Sequence, residues 1–406
     1  MSKLTRKYIL RPTFAALALL AATAAQATVT IANVTAAQRP GTKLVDIGYD
    51  VASTGTNRVA VSLVVSNGAA AVSATTLSGD IGSGVATGTG KAIVWNAGAD
   101  WNRNVGAGVR FYVMADDGGA VPPVVPEGMV PIPAGSFVMG DTFGEGWAEE
   151  LPLHTNYVSA FYIDKYEMTW SLWSTVKAWS GGNGYSYESA GLGKAADHPV
   201  QTVNWRDCVK WCNARSQKEG LTPYYYNETG LTTIYKTGTG TPYPRWTANG
   251  YRLPTEAEWE KAARGGVSGH RFPWSNNDTI SHSQANYYAV SRDSYDLSAG
   301  AGYHPIFATG AEPYTSLVGY FAANGYGLYD MAGNVWEWCW DWYDSAYYQS
   351  SPGIDPRGPT SSPSGCRVMR GGTWYDFAVS ARCADRLDAY PSNAYSNFGF
   401  RCVRGL

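Results

Sequence analysis

Val335-Trp-Glu-Trp-Cys-Trp-Asp-Trp-Tyr343 is the stretch that decides the fold of the second half of the chain. The run alternates with a period of two, which predicts a β-strand with a different chemistry on each face. One face carries Trp336, Trp338, Trp340 and Trp342, and the other carries Glu337, Cys339 and Asp341. The tryptophan face is typical of a buried core. The opposite face, with its carboxylates and thiol, indicates a candidate site.

The sequence around this strand predicts three short helices within residues 128–406. Thr255-Glu-Ala-Glu258 is a capping box, so a helix is expected to begin at Glu256. The predicted helices are Trp170 to about Trp179, about Trp205 to Lys218, and Glu256 to Arg264. The remainder is rich in Gly and Tyr and predicts loops and short strands. A domain with so much irregular chain needs disulfides or bound metal ions to stabilise it.

Composition and charge exclude several classes of function. Of the 406 residues only 16% are charged, and the formal net charge is −2. A diffuse basic nucleic-acid-binding protein is therefore not expected. The sequence also contains neither a phosphate-binding glycine loop nor a nucleophile elbow.

Residues 1–27 have the pattern of a secretory signal peptide. Four basic residues, Lys3, Arg6, Lys7 and Arg11, precede a short apolar run, and Ala25-Gln-Ala27 offers a cleavage site. Removing this segment changes the formal net charge from −2 to −6. We therefore expect an exported protein that is periplasmic, at the cell surface or extracellular, with no membrane span.

Residues 28–117 predict a small all-β sandwich without evident chemistry. Short β-branched runs are separated by Gly, Asn, Asp and Ser clusters at the spacing of a sandwich. The runs are Thr28–Val34, Lys43–Tyr49, Val59–Val65 and Val109–Met114. The segment suits a spacer or an adhesion module. Residues 118–127, with Val121-Pro-Pro-Val-Val-Pro126, predict a semi-rigid linker.

Residues 128–406 carry an ordered set of motifs. They are Phe137-Val-Met-Gly140, Phe161-Tyr-Ile-Asp-Lys-Tyr-Glu167, Arg252-Leu-Pro-Thr-Glu-Ala-Glu-Trp-Glu260, Phe272-Pro-Trp274, Gly327-Leu-Tyr-Asp-Met-Ala-Gly-Asn-Val-Trp-Glu-Trp338, Arg370-Gly-Gly-Thr-Trp374 and Gly399-Phe-Arg-Cys402. This set resembles the sulfatase-modifying factor, or formylglycine-generating enzyme, family. The resemblance implies an α+β, loop-rich, C-type-lectin-like fold that binds calcium.

The resemblance also implies two sets of calcium ligands. The first set comprises the side chains of Asp330 and Glu337 with the backbone carbonyls around Ala332, Gly333 and Val335. The second comprises Asn286, the Tyr287 carbonyl and the downstream acid Asp296. Calcium is coordinated by six to eight oxygens, which loops of this kind supply.

All six cysteines lie in the second half of the chain: Cys208, Cys212, Cys339, Cys366, Cys383 and Cys402. In an exported protein they are candidates for disulfides. The resemblance implies a Cys212–Cys402 bridge. The family partner of Cys383 falls in Ala262-Ala-Arg264, where this chain has alanine. Cys383 is then free or pairs with Cys366 or Cys339.

The segment that follows Arg370 departs from the family at the catalytic position. The family enzyme binds copper(I) through two cysteines, five residues apart, after an Arg-Gly-Gly-Ser motif. Here Thr373 occupies the serine position, Asp376 occupies the first cysteine position, and the second falls in a three-residue deletion. Copper(I) requires soft thiolate ligands, so copper is not expected. Asp376 is then either an acid–base group beside a tyrosine or a solvated surface carboxylate.

Three functions are compatible with these residues. The interpretation we favour is an exported non-oxidase that binds a peptide, protein or glycan through the lectin-like scaffold, whose Tyr and Trp side chains suit such contacts. The alternative is an active protein-modifying enzyme, by formylglycine generation or another oxidative maturation. The third is a purely structural surface protein.

Overall fold

The computed structural model describes residues 3–5, 7–8, 28–54, 57–67, 70–72, 74–101, 109–116 and 125–405. The chain divides into two compact units, Met1–Val124 and Val125–Leu406. Most of the predicted signal peptide and residues 118–124 of the predicted linker lie outside the described residues. In the described part, no helix is long and apolar enough to cross a membrane.

The described residues of the first unit form two sheets that share one cluster of buried hydrophobic side chains. Its elements are β1 (Lys3–Thr5), β2 (Lys7–Tyr8), β3 (Thr28–Gln38), β4 (Leu44–Ser53), β5 (Arg58–Asn67), β6 (Ala70–Val72), β7 (Leu77–Gly79), β8 (Gly82–Ala86), β9 (Gly88–Asn96), α1 (Ala97–Asp100) and β10 (Val109–Asp116). The sheet orders are β1-β3-β4-β9-β7 and β2-β10-β5-β6, with β8 paired to β5. The four predicted runs are all strands, and β4 alternates between buried and less buried residues as expected.

The second unit is mostly short strands and loops with few helices. Its strands are β11 (Met129–Ile132), β12 (Gly135–Met139), β13 (His154–Val158), β14 (Phe161–Asp164), β15 (Tyr225–Tyr226), β16 (Tyr243–Pro244), β17 (Trp336–Trp342), β18 (Arg367–Arg370), β19 (Leu387–Ala389), β20 (Phe398–Gly399) and β21 (Val403–Gly405). Its helices are α2 (Trp170–Gly181), α3 (Trp205–Lys218) and α4 (Glu256–Ala263), with 3-10 turns at Ala148–Glu150, Tyr347–Gln349 and Ala378–Ala381. The central sheet has the order β19-β18-β17-β20.

The three predicted helices are present and begin at their expected caps. The Thr255 hydroxyl accepts from the Glu258 amide at 3.2 Å, and the Glu258 carboxylate accepts from the Thr255 amide at 2.8 Å. This is the capping box read from the sequence. The Asn204 side chain accepts from the third amide of α3. Helix α2 continues two residues beyond its predicted end at Trp179, to Gly181.

Strand β17 is buried on both faces, so the acidic face that was predicted as a candidate site lies inside the core. The tryptophan face packs against α3, and the Trp205 indole donates to the Cys339 carbonyl at 2.8 Å. On the other face, Asp341 accepts from the Glu256 amide at 2.9 Å, at the start of α4. The carboxylates of this face are therefore used inside the core rather than offered to solvent.

Cys212 on α3 and Cys402 beside β21 are brought together in the main core. Their Sγ atoms are 3.6 Å apart and both residues are buried. A disulfide requires about 2.05 Å, so the two are adjacent thiols in this structure. The bridge itself stays a prediction, as does the pairing of Cys383.

Candidate functional site

The site is built on the loop that leads into β17, residues 330–335, which a buried arginine holds in place. Arg401 forms a bidentate ion pair with Glu337, with nitrogen–oxygen distances of 2.7–2.9 Å. The same guanidinium donates to the carbonyls of Tyr329 at 2.9 Å and Asp330 at 3.3 Å. The Trp259 indole also donates a hydrogen bond to the Glu337 carboxylate at 2.8 Å. The loop is thus tied to the C-terminal segment and to α4.

Glu167 is a second buried carboxylate that contacts this loop, and it was not among the predicted site residues. Its two oxygens accept from the Asn334 side-chain amide at 2.6 Å and from the Val335 amide at 3.0 Å. Burial raises the pKa of Glu167 well above its usual value, and the nearby Asp330 and Glu337 carboxylates raise it further. Its only signal in the sequence is its place in the Phe161–Glu167 motif.

Three buried oxygens near this loop have no hydrogen-bond partner. They are Oδ1 of Asp330, Oδ1 of Asn286 and the hydroxyl of Ser316. Burial also raises the pKa of Asp330 to about 6, with a further contribution from Glu337. Burial disfavours the charged form of Asp330, and the neighbouring oxygens lack hydrogen-bond donors. A hard cation such as calcium would stabilise both. The first predicted calcium position therefore fits calcium chemistry through Asp330, whereas Glu337 has its oxygens occupied by Arg401 and Trp259.

The predicted carbonyl ligands Ala332, Gly333 and Val335 lie in the same buried loop. Gly333 has a φ of +79°, and a Cβ there would meet the Asn286 carbonyl oxygen at 2.2 Å, so only glycine fits. Within the described ranges, no group of three or more His, Cys, Asp or Glu side chains converges to hold a metal. A calcium ion in this loop would accordingly depend on amide and carbonyl oxygens in addition to the Asp330 carboxylate.

The residues of the second predicted ligand set have other contacts in the structure. The Asn286 side-chain amide donates to the Tyr314 carbonyl at 2.9 Å, and the Asn286 carbonyl accepts from the Asn334 amide of the first loop at 2.8 Å. The Asp296 carboxylate instead accepts from the Tyr287 hydroxyl at 2.5 Å and from the Val290 amide at 3.0 Å. The Tyr287 carbonyl contacts the His282 ring at 3.1 Å. The structure therefore gives Asp296 the role of fixing the Tyr287 side chain.

The loop also positions the turn that contains Thr373 and Asp376, the residues that the resemblance assigns to the family's active-site positions. The Gly333 amide donates to the Gly371 carbonyl at 2.7 Å, and the Trp374 amide donates to the Asn334 carbonyl at 3.0 Å. Gly372 has a φ of +73° and would place a Cβ 2.7 Å from the Ser380 carbonyl oxygen, so the turn requires glycine.

Asp376 is at the end of this turn and is partly buried rather than fully solvated. Its Oδ2 accepts from the Thr373 hydroxyl at 2.6 Å, and its backbone carbonyl accepts from the Tyr288 amide at 2.8 Å. Burial raises the pKa of the Asp376 carboxyl, and hydrogen bonds from Thr373 and Trp336 offset part of that rise. The two family positions are thus brought together as a hydrogen-bonded Thr–Asp pair.

A group of aromatic side chains that contact one another lies at the same turn, and we call it the aromatic cluster. Its members are Tyr288, Tyr303, Tyr314, Trp374, Tyr375 and Phe377. The Tyr303 ring centroid is 4.7 Å from that of Tyr288 and 5.7 Å from that of Trp374. Tyr375 is 55% exposed and Phe377 is 40% exposed, so the cluster is buried on one side and open on the other.

A cavity of about 140 Å³ borders Asp330 on another side of the loop. Its lining includes Trp274, Gln284, Phe321 and Met331. None of the aromatic cluster lines this cavity. The cluster is therefore a separate, surface-exposed feature.

Comparisons with known proteins agree on one family. Residues 120–406 match the model of the sulfatase-modifying factor enzyme 1-like domain. A formylglycine-generating enzyme of Streptomyces coelicolor is 33% identical over 308 residues, covering 71% of this chain and 93% of that protein. The chaperone protein LppX of Paenibacillus barcinonensis is 34% identical over 258 residues, covering 61% of this chain and 81% of that protein.

Among solved structures, the Treponema denticola variable protein 1 is similar with a TM-score of 0.52 and 28% sequence identity. The match covers 68% of this chain and 95% of that one.

Substituting Glu337→Gln should lower the free energy of unfolding of the second unit by about 3–5 kcal/mol, because it leaves the buried Arg401 without its counter-charge. Denaturant unfolding in calcium and in EGTA measures the effect. We expect the same loss in both buffers, since the carboxylate serves Arg401. A loss confined to the calcium buffer would contradict this and make Glu337 a metal ligand.

Proposed function

Because the chain belongs to the sulfatase-modifying factor family but has Asp376 at the family's first copper-ligand position, we propose that it is a non-oxidase that binds a peptide or protein. The observation that carries the proposal is the environment of Asp376. Its carboxylate is held by the neutral donors Thr373 and Trp336, and its neighbours in the chain are the aromatic residues Tyr375 and Phe377 rather than thiols.

The cysteines of the chain do not compensate for the substitution. All six are buried. Cys208, Cys212 and Cys402 belong to the core around α3, whereas Cys339 and Cys383 belong to a second core cluster. Burial raises the pKa of Cys383 to about 12 and raises that of Cys208, Cys339 and Cys402 well above the usual value, which disfavours the thiolate that binds copper(I).

The exposed half of the aromatic cluster supports binding of a polypeptide. Tyrosine, tryptophan and phenylalanine are enriched at protein interfaces, where they supply large contact areas with few rotatable bonds. Tyr375 and Phe377 project to solvent from a turn whose backbone is fixed by Trp374 and Asp376. A fixed backbone lowers the entropic cost of binding.

We further propose that the protein is exported and that its N-terminal unit is a β-sandwich that displays the second unit. A separate proposal is that the loop 330–335 binds calcium. The unpaired oxygens of Asp330, Asn286 and Ser316 support the calcium proposal. Bound calcium would supply a fixed positive charge beneath the loop. The chain itself contributes the Gly333 turn and the Glu167 contacts that keep the loop in shape.

Calcium at about 100 times its Kd should stabilise the folded state by about 2.7 kcal/mol relative to EGTA, which corresponds to a rise in Tm of several degrees. Asp330→Ala should abolish this rise. Asp296→Ala is the matched control, because it removes a nearby carboxylate that serves Tyr287, and it should keep the response. A wild-type Tm that is the same in calcium and EGTA would contradict the proposal.

Copper(I) competition with a chromophoric chelator should reveal no tight cysteine-dependent site in the folded protein, because the chain lacks the exposed thiolate pair. The Streptomyces coelicolor relative is the positive control. One equivalent of tightly bound copper(I) that disappears in a Cys383→Ser variant would contradict the proposal.

Screening the protein on a peptide array should give ligands whose affinity falls at least tenfold in the Tyr375→Ala/Phe377→Ala double variant, since exposed aromatic anchors commonly contribute more than about 1.4 kcal/mol each. Leu192→Ala removes an apolar side chain that is 53% exposed elsewhere and should leave binding unchanged. Ligands that bind both variants equally would place the recognition surface elsewhere. Hits confined to a parallel glycan array would overturn the polypeptide assignment.

A further inference from the structure

We propose that the cavity beside the loop 330–335 binds one apolar side chain of the polypeptide ligand, of the size of leucine or phenylalanine. The inference rests on the proposed function and adds a second contact to the one at the aromatic cluster. It follows from the volume of the cavity, from its buried apolar lining and from the polar and charged groups among its lining residues.

The volume of the cavity matches a single hydrocarbon group. It measures about 140 Å³. An apolar cavity of about 150 Å³ in another protein stays free of water and binds benzene. A phenyl or isobutyl group is of this size, whereas the methyl group of an alanine would leave most of the space empty.

The buried residues that line the cavity are mostly apolar. They are Pro273, Phe321, Leu328, Met331 and Ala332, together with Asp330, and the half-buried Trp274 also lines the space. Water beside apolar walls forms few hydrogen bonds with them. An apolar group that displaces this water therefore gains free energy on binding.

Hydrogen bonds and ring stacking hold two of the lining residues in place. The Asn324 side-chain amide donates to the Ala262 carbonyl in α4 at 2.8 Å. The Trp274 indole donates to the Thr279 carbonyl at 3.0 Å, and its ring stacks on Phe272 with the centroids 5.2 Å apart. A cavity whose walls are already fixed needs little ordering when a ligand binds.

Exposed residues among the lining make the cavity accessible to a polypeptide. Asn276, Ser283 and Ala322 line the cavity and are exposed. Within the described part of the chain, the Asn276 side chain and the Nε2 group of Gln284 form no hydrogen bond. A carboxamide can pair with the N–H and C=O groups of a peptide backbone. These two side chains therefore suit the main chain on either side of an inserted residue.

The charge of the lining favours a neutral side chain. Among the described residues that line the cavity, Asp330 is the only ionisable one, and its Oδ2 accepts from the Gly319 amide at 2.6 Å. No lysine or arginine is present in this lining. An acidic side chain or a fatty acid would accordingly meet a carboxylate without a counter-charge, which disfavours both as occupants.

The test titrates the full chain with N-acetyl-leucinamide, N-acetyl-phenylalaninamide and N-acetyl-glycinamide and follows binding by ligand-observed NMR. We expect the leucine and phenylalanine amides to bind at least ten times more tightly than the glycine amide. Ala322→Phe and Ala323→Phe each add a ring at a lining position and should abolish this preference. Ala195→Phe adds the same ring at an exposed position outside the lining and should leave it unchanged.

Equal binding of the three amides, or a preference that persists in both Ala322→Phe and Ala323→Phe, would overturn the inference. So would tighter binding of N-acetyl-lysinamide than of either apolar amide. Toluene that binds while neither apolar amide does would assign the cavity to a free hydrocarbon instead. Ala322 is exposed, so Ala322→Phe remains decisive if the thermal transition shows that Ala323→Phe does not fold.

The proposed function fails separately. It is lost if array ligands bind the Tyr375→Ala/Phe377→Ala variant normally. Array ligands that depend on those two rings, but contain no apolar residue that Ala322→Phe affects, would leave the proposed function standing and refute only the cavity assignment.

Discussion

The buried ion pair between Arg401 and Glu337 is the interaction on which the second unit depends. One guanidinium neutralises Glu337 on β17 and also donates to the carbonyls of Tyr329 and Asp330. Both partners are almost fully excluded from solvent, so removing either would leave an uncompensated charge in the core. The pair therefore fixes the relation between β17, the loop that precedes it and the C-terminal segment.

The loop that precedes β17 sets the geometry of the turn around Asp376 through backbone hydrogen bonds. Backbone hydrogen bonds run from Gly333 to Gly371 and from Trp374 to Asn334, so the turn before Asp376 is set by the scaffold. The backbone of this turn therefore does not depend on the side chain at position 376 alone. This separation of scaffold from chemistry is why membership of the family does not by itself establish the family's oxidase activity.

The features that sequence predicted best are those with local physical signals. The three helices were recognisable because Thr169, Asn204 and Thr255 are caps, and β17 because its side chains alternate. Strands β6 to β9 were missed: β6, β7 and β8 have only three to five residues, and β9 begins with Gly-Thr-Gly, which is typical of a turn. The burial of both faces of β17 was also missed, because the partners that cover Glu337 and Asp341 come from distant segments.

The candidate site was predictable only in part. Thr373 and Asp376 followed from alignment with a motif, and the structure brings them into contact. The tyrosines of the aromatic cluster lie in loops with no periodicity, so nothing in the sequence placed Tyr288 beside Asp376 or Tyr303 beside Tyr288. Asp296 was chosen by its position in the chain, and its hydrogen bond to the Tyr287 hydroxyl became visible only in three dimensions.

We propose that the site around Asp376 binds a peptide or protein and does not oxidise a cysteine of that ligand. The most direct measurement incubates residues 28–406, loaded with copper and calcium, in air with a Cys-x-Pro-x-Arg peptide and reads the peptide mass. We expect the cysteine of the peptide to stay unchanged, whereas a formylglycine-generating enzyme run in parallel converts it. Conversion of that cysteine to formylglycine would show instead that this chain is an active maturation enzyme.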